Sequence, residues 1–352
     1  MVSTLKQRVK RLIADAASVL AWIEEEHKTG IRLRLDKKLS LWARGFFSRS
    51  ALMFDFEKYD PDLFVSGYTR YFRTGRINKY NDILGNKLAC HFMMKCLFGT
   101  GVPLTMAVVI DGSLVGIDVQ DNDIVSWLCD YLNGGRSVFA KPVVGSKGKN
   151  ASVISTADEL RKWVSGKDGY IITEAIRSHE YSAKIFPHSL NTIRFLTIVD
   201  DGGPYIVGAV HRFGTMKSAP VDNWSSGGIA STIDLRTGVL GPAVLNPTFF
   251  GNGHRRSRFH PDTGAMIEGV PIPHWSQLCD SLLRLANRVS FLPYLGWDIA
   301  VSPEGIRIIE INGNTGLDML QLERPLLIDK RLRQFYVAHR IIRDSPRPFH
   351  DQ

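Results

Sequence analysis

The chain has 352 residues, a formal net charge of +9, and 44% hydrophobic and 22% charged residues. This composition is that of an ordinary globular protein, no solenoid-type repeat occurs, and the length allows two or three lobes with substantial cores. The positive charge suits an anionic partner such as a nucleotide, an acidic sugar, nucleic acid or a membrane surface. A basic surface without a dedicated partner is the alternative, because charge alone discriminates weakly.

The cysteines and the N-terminus carry weak signals. The four cysteines form no CxxC pair and have no zinc-type histidine spacing, so reduced and mostly buried thiols are expected. The apolar stretch 12–23 is interrupted by Asp15 and lacks a cleavage site, which makes it a poor signal peptide. No apolar run is long enough to span a bilayer, so we expect a cytoplasmic protein.

Residues 1 to about 58 have helical spacing with basic residues among the apolar ones. Such a helix packs on its own domain or, less commonly, lies on an anionic membrane. Asp60 and Pro61 begin a connector toward the aromatic and basic stretch 68–76.

The rest of the chain alternates strands and turns, with helices set apart, which indicates α+β lobes around antiparallel sheets. The sequence predicts helices at 83–98, 124–132 and about 275–289, and helical character in the basic last forty residues. It predicts strands at 105–110, followed by an Asp-Gly hairpin signal, and at 137–144, 170–176, 192–199, 205–212, 297–301 and 306–311.

The most informative segment is a hairpin near the C-terminus, where a Pro-Glu-Gly turn separates two β-prone runs. A turn centred on Glu304 would place Ala300 opposite Ile308 and Asp298 opposite Glu310. Directly opposite residues share a face of the sheet, so the two carboxylates would lie side by side.

Alternation along the strand puts Glu310 and Asn312 on one face and Arg307 on the other. Two adjacent carboxylates repel each other unless a cation joins them, and the amide oxygen of Asn312 adds a third ligand. Hard oxygen ligands select magnesium or manganese. The alternative is an ordinary hairpin whose polar end meets solvent. The opposite face is expected in a core and holds Trp297, Ile299, Val301, Ile309 and Ile311.

A glycine-rich loop, Gly145, Ser146, Lys147 and Gly148, follows the strand that carries Lys141. Glycines let backbone amides close around phosphate oxygens, and a strand lysine holds a phosphate as a point charge. The spacing is not that of a Walker A motif, and by itself such a loop is equally a plain surface turn.

The strand 170–176 is apolar with Glu174 near its end, and Glu180 follows a few positions later. Backbone groups after such a strand can pair with the adenine edge, and a nearby carboxylate can accept hydrogen bonds from ribose hydroxyls. An ordinary core strand is the alternative.

The order of these features resembles the ATP-grasp superfamily. The strings Asn191-Thr-Ile-Arg194, Asp222-Asn223…Gly227-Gly228 and Gly296-Trp-Asp298…Glu310-Ile-Asn312 resemble its sugar-transfer-associated group, over roughly residues 80–330. The resemblance implies an α+β ATP-grasp fold with ATP between two lobes. An N-terminal helical region and connector (1–82) would precede a small lobe with the glycine-rich loop (83–172) and a large lobe with the metal site (173–345).

The resemblance also implies roles for individual residues. Lys87 and Lys141 would bind nucleotide phosphates, Gly145 to Gly148 would form the lid, Glu174, Ala175 and Ile176 would face adenine, Glu180 would bind ribose, and Asp298, Glu310 and Asn312 would bind magnesium.

Two arginines and one polar loop complete the candidate site. Arg194 and Arg212 suit a bidentate hold on phosphate or carboxylate, with a surface salt bridge as the alternative for each. The loop of Asp222, Asn223, Gly227 and Gly228 either touches the acceptor substrate or is a plain surface loop. His188 and His211 receive no role.

Three functions remain open from the sequence. The first is an ATP- and magnesium-dependent carboxylate–amine ligase that forms an amide through an acylphosphate, on a polysaccharide-related or amino-acid substrate. The second is a phosphotransferase acting on a sugar or other alcohol, for which Asp222 is the one candidate base. The third is a non-catalytic basic binding protein that would use residues 68–76. The predicted metal ligands argue against the third.

Overall fold

The computed structural model describes residues 19–27, 31–145, 150–251 and 256–344. The predicted helix start before residue 19 and the loop residues Ser146, Lys147 and Gly148 lie outside these ranges. All helices and strands of the described residues belong to an α+β architecture with two antiparallel sheets, as predicted. Within the same ranges, no helix combines the length and apolar character needed to cross a membrane.

The helices are short. They comprise 19–27 (α1), Leu35–Ala43 (α2), Ser50–Met53 (α3), Gly67–Phe72 (α4), Asp82–Gly85 (α5), Lys87–Phe98 (α6), Ile124–Asn133 (α7), Ala157–Val164 (α8), Glu180–Ala183 (α9), Pro247–Phe250 (α10), Trp275–Arg288 (α11) and Lys330–Ala338 (α12).

The strands pair with antiparallel neighbours throughout. They comprise Thr105–Ile110 (β1), Ser113–Gly116 (β2), Val138–Pro142 (β3), Ser152–Ile154 (β4), Tyr170–Glu174 (β5), Ile193–Asp200 (β6), Gly203–Phe213 (β7), Ile229–Ile233 (β8), Leu240–Leu245 (β9), Arg256–Ser257 (β10), Tyr294–Ser302 (β11) and Gly305–Asn312 (β12).

The first sheet has five strands in the order β2-β1-β5-β3-β4, and the second has seven in the order β10-β9-β8-β7-β6-β11-β12. The predicted Asp-Gly hairpin joins β1 to β2, with Asp111 at φ 48° and Gly112 at φ 74°, as a two-residue turn of this kind requires. Helices α7 and α8 cover the first sheet, and α11 packs on the second. The carboxylate hairpin, β11–β12, forms the last two strands of the second sheet.

Several predicted boundaries shift. The predicted helix 83–98 is divided because the side chain of Asn86 accepts hydrogen bonds from the amides of Leu88 and Ala89 and so begins α6 anew. The helical region predicted for residues 1–58 consists, in its described part, of three separate helices, α1, α2 and α3. The helical character predicted for the last forty residues is present only in part. Of the described residues after β12, only α12 is α-helical, and Pro325 precedes a short 3₁₀ turn instead.

The register of the carboxylate hairpin differs from the simple prediction. The turn is one residue tighter, because Ser302 pairs with Gly305, and Ala300 therefore faces Arg307 rather than Ile308. A β-bulge then inserts Ile309, and it restores the predicted pairing of Asp298 with Glu310.

The bulge also changes which residues share a face. Ile308 and Ile311 are buried in the core, whereas Ile309, predicted to lie there, is only half-buried. Arg307 was predicted on the opposite face from Glu310. That prediction is wrong, because the extra residue between them puts Arg307 on the same face as Glu310 and Asn312.

Candidate functional site

A buried arginine–carboxylate pair lies at the centre of the second sheet. Arg194 on β6 is the cross-strand partner of Asp298 on β11. Its Nε and Nη2 both donate to the Asp298 carboxylate, with 2.9 Å between Nη2 and Oδ2, and its Nη1 donates to Thr315 Oγ1 at 2.9 Å. Arg194 and Asp298 are 8% and 5% exposed, so the surface salt-bridge alternative does not hold for Arg194.

A second buried arginine joins this pair to the predicted acceptor loop. Nη2 of Arg212 lies 3.2 Å from Asp298 Oδ2 and 3.3 Å from Asp222 Oδ1. The Thr192 hydroxyl accepts hydrogen bonds from Arg212 and donates to Asp222 at 2.5 Å. Among the described residues, none accepts a hydrogen bond from Nη1 of Arg212, which leaves that group for a ligand.

Burial and charge compete in this network. Burial opposes ionisation of Asp298 most strongly, but Arg194 and Arg212 together outweigh it and hold the pKa of this carboxyl below its usual value. Burial raises the pKa of Asp222, although Arg212 acts in the opposite direction. The two arginines and two aspartates balance formally, so the network is neutral before any ligand arrives.

The predicted acceptor loop is packed against the same network. Asp222 is buried and engaged by Thr192 and Arg212, and Gly228 lies so close that a Cβ atom there would stand 2.5 Å from the Asp222 carbonyl oxygen. Gly227 has φ 102°, which favours glycine, and the half-buried Asn223 precedes a short 3₁₀ turn. The plain surface-loop alternative therefore does not describe this segment.

The predicted phosphate lysines converge beside Glu310. Burial lowers the pKa of the Lys141 ammonium, Glu310 opposes that fall, and Lys87 reinforces it, which requires all three charges to be close. Lys87 also donates from Nζ to the carbonyl of Gly145 at 2.6 Å, at the start of the glycine-rich loop. The structure thus brings Lys87, Lys141, Gly145 and Glu310 together.

The cysteines are free thiols, as predicted. Cys90 lies beside this cluster, and burial, reinforced by Glu310, raises the pKa of its thiol to about 12. The thiol is therefore neutral, so Cys90 lines the site and does not act as a nucleophile. Cys129 is buried too, whereas Cys96 is exposed and Cys279 half-buried.

The end of the hairpin fits a hard cation. The side chain of Glu310 makes no hydrogen bond or ion pair with another described residue, and none of these residues donates to Oδ1 of Asn312, the oxygen that a cation would bind. In the described part of the chain, Oδ1 of Asp298 accepts a hydrogen bond from Arg194 alone, so one of its lone pairs is available. No cluster of three His, Cys, Asp or Glu side chains suited to a metal occurs in the described ranges, so a cation here depends on the mixed set of two carboxylates and one amide.

Glu174, at the end of β5, links the two sheets. Its carboxylate accepts from Arg307 of β12 and from the amide of Leu104 at 2.9 Å. The amides of Glu174 and Ala175 bond to the carbonyls of Leu104 and Ser137, so they are already occupied. Of the three residues predicted to face adenine, Ile176 is the one whose amide these contacts do not occupy, so it can bind a ligand.

The predicted ribose ligand lies at the surface. Glu180, the first residue of α9, pairs with Lys184 at 2.5 Å with both side chains exposed. His211 is buried and contacts Tyr181 at 2.7 Å, and burial lowers its pKa to about 3, so it is neutral. His188 is exposed.

The aromatic and basic stretch 68–76 is used inside the molecule. Nε and Nη2 of Arg70 donate to the carbonyls of Thr315 and Asn314, each at 3.0 Å, directly after the carboxylate hairpin. Nη1 of Arg73 donates to the carbonyl of Ile341 at 3.0 Å. The guanidinium groups of Arg70 and Arg73 are thus engaged by carbonyls of the same chain. This engagement weighs against the nucleic-acid-binding alternative, which needs such groups at the surface.

Sequence reasoning missed three side chains of this site. Thr192 lies in the string Asn191-Thr-Ile-Arg194, two positions before Arg194, but its residue type alone does not indicate a role in the site. Thr315 follows the strand, and its contact with Arg194 depends on chain geometry. Arg307 was missed because a β-bulge cannot be seen in a simple alternation pattern.

A family comparison covers the part of the site that lies on the second sheet. The profile of the sugar-transfer associated ATP-grasp family matches residues 159–336, just over half of the chain. The chain belongs to the sugar-transfer associated ATP-grasp family. The match contains Arg194, Arg212, Asp298 and Glu310, so the buried network and the carboxylate hairpin lie within the matched residues, and the α+β fold is the ATP-grasp fold.

Solved structures resemble this family member in fold. D-alanyl-alanine synthetase A from Vibrio cholerae is 12% identical with a TM-score of 0.43, over 73% of this chain and 64% of that one. N5-carboxyaminoimidazole synthetase from Staphylococcus aureus, complexed with ADP, is 8% identical with a TM-score of 0.39, over 68% and 47%. The L-amino acid ligase from Bacillus licheniformis is 10% identical with a TM-score of 0.38, over 67% and 42%.

This chain therefore spans less than two thirds of the length of each of these proteins. No curated protein sequence matches it.

Gly296 offers a steric test of how the hairpin is braced. A Cβ atom at Gly296 would lie 2.1 Å from Thr315 Oγ1, so alanine must displace the acceptor of Arg194. We expect Gly296→Ala to lower the free energy of unfolding by about 1–3 kcal/mol, the range for overpacking a buried site. Urea denaturation measures this loss of stability. Gly316→Ala is the matched control, because a Cβ atom at Gly316 would have nothing within 4 Å. Gly305→Ala is unsuitable, because Gly305 has a positive φ that alanine would strain.

Proposed function

We propose that this chain is an ATP- and magnesium-dependent carboxylate–amine ligase. In this reaction a substrate carboxylate oxygen attacks the γ-phosphorus of ATP, and the bond to the β-phosphate oxygen breaks, giving an acylphosphate and ADP. The amine then attacks the acyl carbon and inorganic phosphate leaves, which forms the amide. The amine loses its proton in this second step.

The observation that carries the proposal is the buried pair of arginines around Asp298. Arg212 keeps Nη1 free of bonds to described residues beside the predicted metal ligands, so it can hold a substrate carboxylate or the oxyanion of the tetrahedral intermediate. Arg194 is fixed by Asp298 and Thr315 and supports the position of Asp298. A ligase of this kind needs no nucleophilic side chain, and the neutral Cys90 thiol fits that requirement.

The remaining roles follow from the cluster beside Glu310. Lys87 and Lys141 would balance negative charge on the nucleotide phosphates, and Ile176 offers an amide to the adenine edge. Asp298, Glu310 and Asn312 would hold magnesium, which when bound neutralises charge on the transferred phosphoryl group. Glu180 and the segment from Asp222 to Gly228 would contact the ribose and the acceptor. The lobes 83–172 and 173–345 would enclose the nucleotide.

The contacts of Asp222 weigh against phosphotransfer to an alcohol. A kinase needs a base near the acceptor hydroxyl. Asp222 is the candidate, yet one of its oxygens accepts two hydrogen bonds from Thr192, and the other faces Arg212. A carboxylate held in this way is poorly placed to remove a proton from a substrate.

Product analysis tests the proposal. The protein is incubated with ATP, magnesium and pools of acids and amines, and ADP, inorganic phosphate and condensed products are followed by mass spectrometry. We expect equimolar ADP, phosphate and amide, with no turnover when either pool is omitted. ADP accompanied by a phosphorylated acceptor without free phosphate would establish phosphotransfer and refute the ligase.

A further inference from the structure

A second cationic site lies away from the nucleotide cluster. An open cavity of about 610 Å³ is lined by four arginines, Arg73, Arg76, Arg340 and Arg343, together with Asp344. None of these residues belongs to the predicted site. Arg70 bonds to the end of the carboxylate hairpin, whereas Arg73 bonds to the carbonyl of Ile341 beside the cavity.

The backbone at Arg340 gives independent evidence that its side chain matters. Arg340 follows α12 at φ 58°, in the left-handed region that favours glycine. Its amide and that of Ile341 close the helix by bonding to Val337 and Tyr336 at 2.9 and 2.8 Å. The hydrogen bonds that end the helix use backbone groups and require no side chain at this position, and glycine would adopt the same conformation with less strain. The strained position is nevertheless occupied by an arginine whose side chain lines the cavity.

The charges of the cavity do not balance. Arg73, Arg340 and Arg343 oppose Asp344 alone, which leaves a formal charge of +2 before Arg76 is counted. Within the described ranges, no ion pair joins Asp344 to any of them. The basic side chains of this lining are the four guanidinium groups, which hold phosphate oxygens in a bidentate manner, and the imidazole of His339.

We propose that this arginine cavity binds a diphosphate group. A diphosphate carries enough charge to neutralise the cavity, whereas one carboxylate does not, and several guanidinium groups can each take two of its oxygens. The same group occurs in soluble diphosphate esters and, as diphosphate esters of lipid alcohols, at a membrane surface. The proposal is independent of the ligase reaction, because none of the cavity residues belongs to the proposed ligase site.

Calorimetric titration with inorganic pyrophosphate in the absence of magnesium tests this site. We expect Arg340→Gly and Arg343→Gln each to weaken binding about tenfold, the equivalent of one lost charge-assisted contact. Arg340→Gly should leave the melting temperature unchanged or higher, because glycine suits the helix ending, so lost binding there cannot be ascribed to unfolding. Arg161→Gln, an exposed arginine on α8, is the matched charge control and should bind normally.

Lys141→Met separates the cavity from the nucleotide site. Pyrophosphate binding that is retained in Lys141→Met and weakened in Arg340→Gly supports the cavity as the binding site. Equal affinity in the wild type and both cavity variants, or loss of binding with Lys141→Met alone, would overturn it. Flotation with vesicles of phosphatidylcholine and a prenyl diphosphate distinguishes the source. Flotation lost in both cavity variants identifies a membrane diphosphate, and pyrophosphate binding without flotation identifies a soluble one.

Discussion

Glu310→Gln is expected to abolish turnover while leaving the fold intact. Glu310 makes no hydrogen bond or ion pair with a described residue, so the folded state loses no direct partner when its charge is removed. The proposed metal site, by contrast, loses one of its two carboxylates. Magnesium would then bind weakly and neutralise less charge on the transferred phosphoryl group. We expect a fall in kcat/KM on the order of 10³-fold or more.

A second consequence concerns Lys141. Glu310 raises the pKa of this half-buried ammonium against the effect of burial, so Glu310→Gln should lower it further. Nucleotide affinity should therefore fall even without magnesium, because a larger fraction of Lys141 is neutral. Calorimetry with ADP in the presence and absence of magnesium separates the two effects.

The matched control lies in the same hairpin. Glu304→Gln removes the same charge from the exposed turn, where its partner is the exposed Arg177. It should retain full activity and ADP binding. Full activity in Glu310→Gln would contradict the metal assignment, and an altered circular dichroism spectrum would contradict the expectation that the fold stays intact.

The hairpin shows how far the sequence could predict this site. Asp298 beside Glu310 was predicted correctly, but through a register that the structure does not have. A tighter turn shifts the pairing by one residue, and the bulge at Ile309 shifts it back. Turn residues and alternation specify that a hairpin exists. They do not reveal a bulge, because its position depends on packing against neighbouring strands.

Local patterns in the sequence predict the α+β fold and most strand positions. They do not predict the contacts of the buried network. Arg194 and Arg212 were chosen for their chemistry, yet their contact with Asp298 arises because β6 lies between β7 and β11. That strand order is a long-range property, and no spacing in the chain encodes it locally. The helix predicted for the C-terminal residues is confined to α12 in the described part of the chain, since tertiary packing overrides a weak propensity.

Asp298→Asn is expected to destabilise the protein far more than Glu310→Gln. Asp298 is the shared acceptor of Arg194 and Arg212, and all three residues are at most 8% exposed. The neutral amide would leave two buried guanidinium groups, of which Arg212 keeps its ion pair with Asp222. Breaking a buried ion pair by removing one partner costs about 3–5 kcal/mol. We expect a loss of that size in urea denaturation at neutral pH, together with lost turnover.

The pH dependence distinguishes an ion-pair effect from a packing effect. The two arginines hold the pKa of Asp298 below its usual value of about 3.9, so its contribution is complete above that pH and disappears as the pH falls through the lower, folded-state pKa. The stability difference between the wild type and Asp298→Asn should therefore be constant near neutrality and shrink in acid. Asp200→Asn is the control, because its partner Arg331 is partly exposed and such a pair contributes at most about 1 kcal/mol. A difference that persists unchanged in acid would mean that the shape of the Asp298 side chain matters and its charge does not.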